Sequence, residues 1–324
     1  MSVATLVPET WELDGDDARE TLLATGRVKL SKDAFVRLRF ADGFSHARSM
    51  AFLLSLVLVQ GVIGVVGLAS WFGEAGPGVA MLRTIRDVAP GPMGKVITKS
   101  VVHANQAGTA GKWVALTFGL LGAIVTGTTL MAQMERALNR MYGIEQDRPA
   151  LQKYARGFVM AISVGALATL SFLAFAFGNA IGDSVSNDVG GSVWKALRWP
   201  LALVLFAAAM ALLFRKAPNR HQPAWSWLAF GSTVSVVLWS LVTFGLGLFV
   251  RLSSSFGDAY GPLAGVVALL LWAFLSSVAV LYGAAIAAQL EAVRSGQSAP
   301  RDPRKAAAGD EPAPVVAVFA HGLR

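Results

Sequence analysis

The sequence predicts an all-α fold: a polytopic integral membrane bundle of six transmembrane helices. Three observations predict it. Apolar residues make up 54% of the 324-residue chain and charged residues only 15%, against roughly 25% charge in a soluble globular chain. The charges are clustered, so that no Asp, Glu, Lys or Arg occurs in 49–73, 113–134, 157–182, 199–214, 224–250 or 259–290. A bilayer core of about 30 Å is crossed by about 20 apolar helical residues, and five of these windows meet that length. The segments between the windows also alternate in basic charge. Those on the side of the termini hold 20 Lys and Arg, those on the other side 8. The positive-inside rule then puts both termini in the cytoplasm.

Taken in order, residues 1–34 form an acidic-leaning N-terminal cytoplasmic segment, expected to be partly disordered. Within 27–48, Val28, Leu30, Phe35, Leu38 and Phe40 alternate with cations, which predicts an interfacial amphipathic segment leading into the first span. Arg27, Lys29, Lys32, Arg37, Arg39 and Arg48 precede that span. Such a juxtamembrane cluster attracts anionic lipid headgroups, and nucleic acid is not an expected partner. The connection 74–112 is too long for a bare loop. Val79, Leu82, Ile85 and Val88 recur at helical spacing, so short extracytoplasmic helices are expected between spans 1 and 2. The loop 135–156 is strongly charged, and 215–223 is short and basic.

The fourth window is the weak one, at 16 residues. Arg198, Arg215 and Lys216 flank it and can lift their charges to the headgroups. Pro200 is expected in the first turn of that helix. Trp71, Trp113, Trp194, Trp199, Trp225 and Trp227 fall near predicted span ends, as an aromatic belt would. The last span can run to about Arg294, longer than the membrane core, and so tilts or projects into the cytoplasm. Residues 295–324 change to Ala, Pro, Gly and charge, the composition of a disordered tail.

Helices gain no hydrophobic benefit from associating in lipid, so small residues should carry the packing. Gly61, Gly64 and Gly67 form one stripe, and Ala174, Gly178 and Gly182 another. Gly231 with Ser235, and Gly283 with Ala287, repeat the spacing. Packing within the bundle is the expected use of all these faces. A homo-oligomer or an envelope partner protein is the partner expectation, with the external connection and the basic cytoplasmic loops as the docking surfaces.

Little in the spans can carry chemistry. They contain no carboxylate, lysine or arginine, which argues against a proton relay. The polar exceptions are Gln60, near the centre of the first window, and Asn179. Each reads either as an inter-helix hydrogen-bonding group or as part of a substrate path. The chain has no cysteine, and His46, His103, His221 and His321 lie in different segments without metal-ligand spacing. No phosphate-binding loop, nucleophile elbow or zinc motif occurs. No catalytic residue, metal or cofactor is expected, and no enzyme.

Two stretches resemble the YihY/BrkB family of bacterial inner-membrane proteins. The first is MERALNRMYGIEQDR at 134–148, with Leu138, Asn139, Arg140, Gly143 and Arg148 in matching places. The second, YGPLAGVVALLLWAFLSSVAVLYGAA at 260–285, is similar to the family's final span: Tyr260 and Gly261 at its entrance, Trp272 within it, Gly283 near its end. The likeness extends over about 35–294, read as one membrane domain. The chain departs from the pattern at Gln60, where the family has proline, and at Ala285, where it often has glutamate; the nearest acidic group is Glu291. The resemblance implies a plasma-membrane protein of six or so spans. A ribonuclease label attached to some members finds no support in these residues. Transport or export of an unknown substrate is the leading expectation. A non-transporting envelope scaffold or membrane-integrity protein is the alternative. Asn139 and Arg140 are expected at a helix end held to the headgroups.

Overall fold

The computed structural model describes residues 6–69, 108–176, 188–253 and 263–297. Eight helices run through them: α1 (Gly15–Thr25), α2 (Arg27–Phe40), α3 (Gly43–Ala69), α4 (Gly108–Met141), α5 (Ala150–Ala176), α6 (Asp188–Lys216), α7 (Trp225–Leu252) and α8 (Ala264–Arg294). The last six are long and apolar enough to cross a membrane. No strand occurs among the described residues. The all-α bundle of six candidate spans stands as read from the sequence. The expected helices in 74–112, the tail beyond 297, Asn179, Tyr260 and Gly261 lie outside the described residues.

The fourth span is longer than its charge-free window. α6 continues for 29 residues, carrying Arg198 inside the helix with its guanidinium 5.7 Å from the Trp199 ring centroid. Pro200 is therefore interior to α6 and not in its first turn as expected. A proline is tolerated inside a span because neighbouring groups satisfy the freed backbone. Close by, Ser171 of α5 donates its hydroxyl to the Ala202 carbonyl at 2.7 Å.

Each span packs on the next in chain order, and α8 returns to pack on α3, so the six close into a ring. Glycine sets the closest approaches. A β-carbon on Gly64 would lie 3.3 Å from the Gly119 backbone of α4, and one on Gly67 would lie 2.5 Å from the Leu116 nitrogen. On the other side, a β-carbon on Gly231 would fall 2.6 Å from the Gly283 carbonyl. The stripes of α7 and α8 seen in the sequence thus face each other. In α3 only Gly64 and Gly67 are used this way, since Gly61 meets nothing within 4 Å.

Burial is concentrated at one end, the base, where α1 and α2 pack against α8. Most of α8 from Ser276 to Ala292 is buried, whereas none of the described side chains of α7 beyond Val236 is. Trp227 is fully buried in this core and serves packing, not the interfacial belt. Hydropathy does not announce α1. Its signal is the reciprocal cap between Asp14 and Asp17, which satisfies backbone donors at the helix start. Nor does the amphipathic segment run on unbroken from 27 to 48. It stops at Phe40, and Asp42, with φ of 55°, turns the chain into α3.

Candidate functional site at the base of the bundle

α4 ends in a tight turn. Gly143 has φ of 74°, a left-handed value that glycine adopts without strain. Its N–H donates to the Arg140 carbonyl, and the Ile144 N–H donates to the Asn139 carbonyl at 2.9 Å. This turn aims 144–149 back at α4, and Arg140 donates to the Ile144 carbonyl at 2.5 Å.

Asn139 is fully buried, so it does not meet headgroups as expected. Its amide nitrogen donates to Asp147 at 3.0 Å, and its amide oxygen accepts from the Asn219 N–H at 2.7 Å. One side chain thereby ties the α4–α5 loop to the α6–α7 loop. Asp147 also accepts from Arg136 at 3.0 Å and Lys153 at 2.9 Å. Burial pushes the Asp147 carboxyl up, but hydrogen bonds from Asn139, Lys153 and Arg136 outweigh it and hold the group at about 2. Arg148 pairs with Glu135 at 2.9 Å and donates to the carbonyls of Ala217 and Pro218 at 2.8 and 2.7 Å. Its planar fork suits two adjacent acceptors. Leu138 is buried beneath, in the core. The structure thus brings together five residues singled out in the sequence: Leu138, Asn139, Arg140, Gly143 and Arg148.

A second set adjoins them, and the sequence reading missed it. Arg220 and Glu291 meet at 2.6 Å with side chains 1% and 0% exposed. The Arg220 guanidinium also lies 4.5 Å from the Tyr142 ring centroid. Arg37, grouped in the sequence with solvated juxtamembrane cations, is instead fully buried. It donates to Gln289 at 2.8 Å and to the Met141 carbonyl at 3.0 Å. Desolvation lowers its guanidinium to about 10, so it stays charged at neutral pH. Burial, with Glu291 nearby, pushes the Tyr142 hydroxyl above its ordinary value. Not every polar atom here finds a protein partner: Glu291 Oε2, Gln289 Nε2 and Arg220 Nη1 have none.

The N-terminal segment lies across this cluster. The Val7 N–H donates to the Tyr142 carbonyl at 3.0 Å. The Pro8 carbonyl accepts from Arg220 at 2.8 Å, and Thr10 donates to Glu291 at 2.6 Å. The Leu13 carbonyl accepts from the Ala224 N–H, and Arg294 clasps Asp17 and Glu20 of α1. Val7 is buried with Tyr142, Ala288 and Ala292. The acidic composition of 1–26 matches these contacts only because the fold brings Arg294 to Asp17 and Glu20.

The remaining sequence-marked residues lie apart. Gln60 sits at the α3–α4 contact, where a β-carbon on Gly122 would come within 3.0 Å of its amide. Its side-chain oxygen is buried with no protein partner. Trp272 donates to Thr243 at 3.1 Å and stands edge-on to Trp239, centroids 6.4 Å apart. Gly283 belongs to the α7–α8 contact. Two open grooves among the described residues, of about 360 and 500 Å³, are lined by residues other than Gln60.

The family model described as "Virulence factor BrkB" matches residues 34–308. The protein named "Putative ribonuclease-like protein YfkH" of Bacillus subtilis (strain 168) is 24% identical over 264 residues, covering 80% of this chain and 94% of YfkH. The UPF0761 membrane protein RSc1559 of Ralstonia nicotianae is 30% identical over 181 residues, 55% of this chain and 40% of that protein. The UPF0761 membrane protein RC1_0578 of Rhodospirillum centenum is 26% identical over 277 residues, 83% of this chain and 59% of that protein. The chain thus spans about half the length of these two UPF0761 relatives. No solved structure matches.

Proposed function

The chain belongs to the BrkB family of integral membrane proteins, and from that premise we propose a transport protein of the bacterial plasma membrane, closed at its cytoplasmic base. The observation that carries this is the burial of Arg220 and Glu291 beneath the N-terminal segment. Burying two opposite charges costs several kcal/mol of desolvation per ion, and their attraction often does no more than repay it. Well-packed apolar residues would hold a static base as firmly. A charge pair that gains little net stability from being covered is instead suited to two states of similar energy, one dry and paired, the other hydrated and open.

The basic surplus on the side of the termini supports a cytoplasmic position for the base. Gln60 and the small-residue faces would border the path beyond it. The proposal assigns no catalysis. Glu135, Asp147 and Glu291 are each held by cations, an arrangement that spends the carboxylates on structure. The ribonuclease-like name belongs to YfkH and is not carried over to this chain.

A second reading, a non-transporting envelope scaffold, draws support from the solid packing around α8. Flux distinguishes the two. The full chain is reconstituted in liposomes and tested for solute uptake and efflux beside Glu291→Gln, which loosens the latch. Transport predicts flux above empty vesicles, raised in the variant. Flux equal to empty vesicles for both proteins, across broad solute panels, sinks the transport reading and leaves the scaffold.

A further inference from the structure

The larger groove lies between α2 and α8, lined by Ser31, Lys32, Phe35, Val36 and Tyr282. Its level in the membrane follows from helix geometry. Tyr282 is 18 residues along α8 from Ala264, or about 27 Å at 1.5 Å per residue. That is close to the thickness of a hydrocarbon core. Beyond Tyr282, α8 is wrapped by protein, as its nearly continuous burial records. Counted from Ala264 as the outer end of an untilted span, the groove would open where hydrocarbon meets headgroups.

α2 has two faces there. Leu30, Ala34, Arg37 and Leu38 are buried. Val28, Lys32, Phe35 and Arg39 recur at helical spacing and are exposed, Val28 by 69% and Phe35 by 45%. Exposed apolar side chains between cations are costly in water and well placed at a bilayer surface. Lys29 and Arg27 are exposed as well, while Asp33 is the only carboxylate on the helix and is half-buried. On the neighbouring α1, Asp17 and Glu20 are already engaged by Arg294. The Ser31 and Tyr282 hydroxyls bond to each other, and Tyr282 also donates to the Ser31 carbonyl. This cross-link fixes the groove's wall.

We propose that this groove is a site for one anionic membrane phospholipid, its phosphate against Lys32 and its first acyl carbons over Phe35 and Val36. The charge balance selects an anionic headgroup over a zwitterionic one, and the apolar floor selects a lipid over a free anion. The site does not depend on the transport reading.

Native mass spectrometry of the full chain in detergent tests it, with phosphatidylglycerol or phosphatidylcholine added at equal concentration. Phosphatidylglycerol should be retained preferentially. Lys32→Gln should lower its occupancy about fivefold, the worth of one lysine at an anionic surface. Phe35→Ser should lower retention of both lipids. Lys216→Gln, an exposed cation elsewhere on the base, should change neither. An unchanged thermal midpoint verifies that each variant is folded. Equal retention of the two lipids overturns the proposal, as does phosphatidylglycerol binding untouched by Lys32→Gln. So does displacement of the lipid by millimolar inorganic phosphate, which would mark a free-anion site.

Discussion

Arg220 and Glu291, 71 residues apart in the chain, form a 2.6 Å ion pair that is almost wholly buried under Pro8 and Thr10. The pair links the α6–α7 loop to the end of α8, and the N-terminal segment supplies the remaining partners.

Removing one member leaves the other charged and buried, so Glu291→Ala or Arg220→Ala should destabilise by about 3–5 kcal/mol. The double variant Arg220→Met/Glu291→Leu should recover most of that loss. Unfolding in detergent by denaturant measures both. Equal losses in the single and double variants would contradict the burial argument.

The Asp147 cluster predicts a pH dependence. The folded value of about 2 lies below the ~3.9 of an unfolded aspartate. Its contribution is therefore complete above pH ~4 and is lost as pH falls through about 2. With a side chain 18% exposed, the shift corresponds to about 2 kcal/mol. Asp147→Asn should lower the thermal midpoint at pH 7 and flatten its decline in acid. A wild-type midpoint that stays level from pH 5 to 2 would contradict this.

At the α7–α8 contact, a β-carbon on Gly283 would overlap the Ser235 hydroxyl and the Gly231 carbonyl. Gly283→Ala should cost about 1–3 kcal/mol through overpacking. Gly245→Ala, on the same α7 but with nothing within 4 Å, should be neutral or slightly stabilising. A matched pair of melting curves reads the contrast.

Gln60→Leu removes a buried amide oxygen that has no protein partner. Stability should rise, by up to about 1–3 kcal/mol. If the side chain borders a path, liposome flux should fall at the same time. Higher stability with unchanged flux would assign Gln60 to the α3–α4 contact alone.

Because the chain has no cysteine, single cysteines report topology cleanly. Leu6→Cys and Gln297→Cys should both resist a membrane-impermeant maleimide in intact cells and react after permeabilisation. Labelling of either in intact cells would reverse the predicted orientation at that end.

Six spans could be read from the sequence because hydropathy is a local sum: a window without charge either can or cannot lie in lipid, whatever its neighbours do. The same locality made Gly231 and Gly283 visible as small-residue faces, and 134–148 visible as a motif. It also misjudged the limits of α6, because Arg198 ends a charge-free window without ending a helix. The base was not legible. Arg37 looks like any other juxtamembrane cation until α2 is laid on α8, and Thr10 meets Glu291 only across 281 residues of chain. Asn139 stood out by resemblance, but the task it performs, joining two loops, depends on Asn219 being brought to it. Charge alternation predicts which segments share a side of the membrane, since each is drawn independently to that side. Which of those charges are then stripped of water and paired was decided only by tertiary packing, because desolvation depends on what covers a group and not on its place in the sequence.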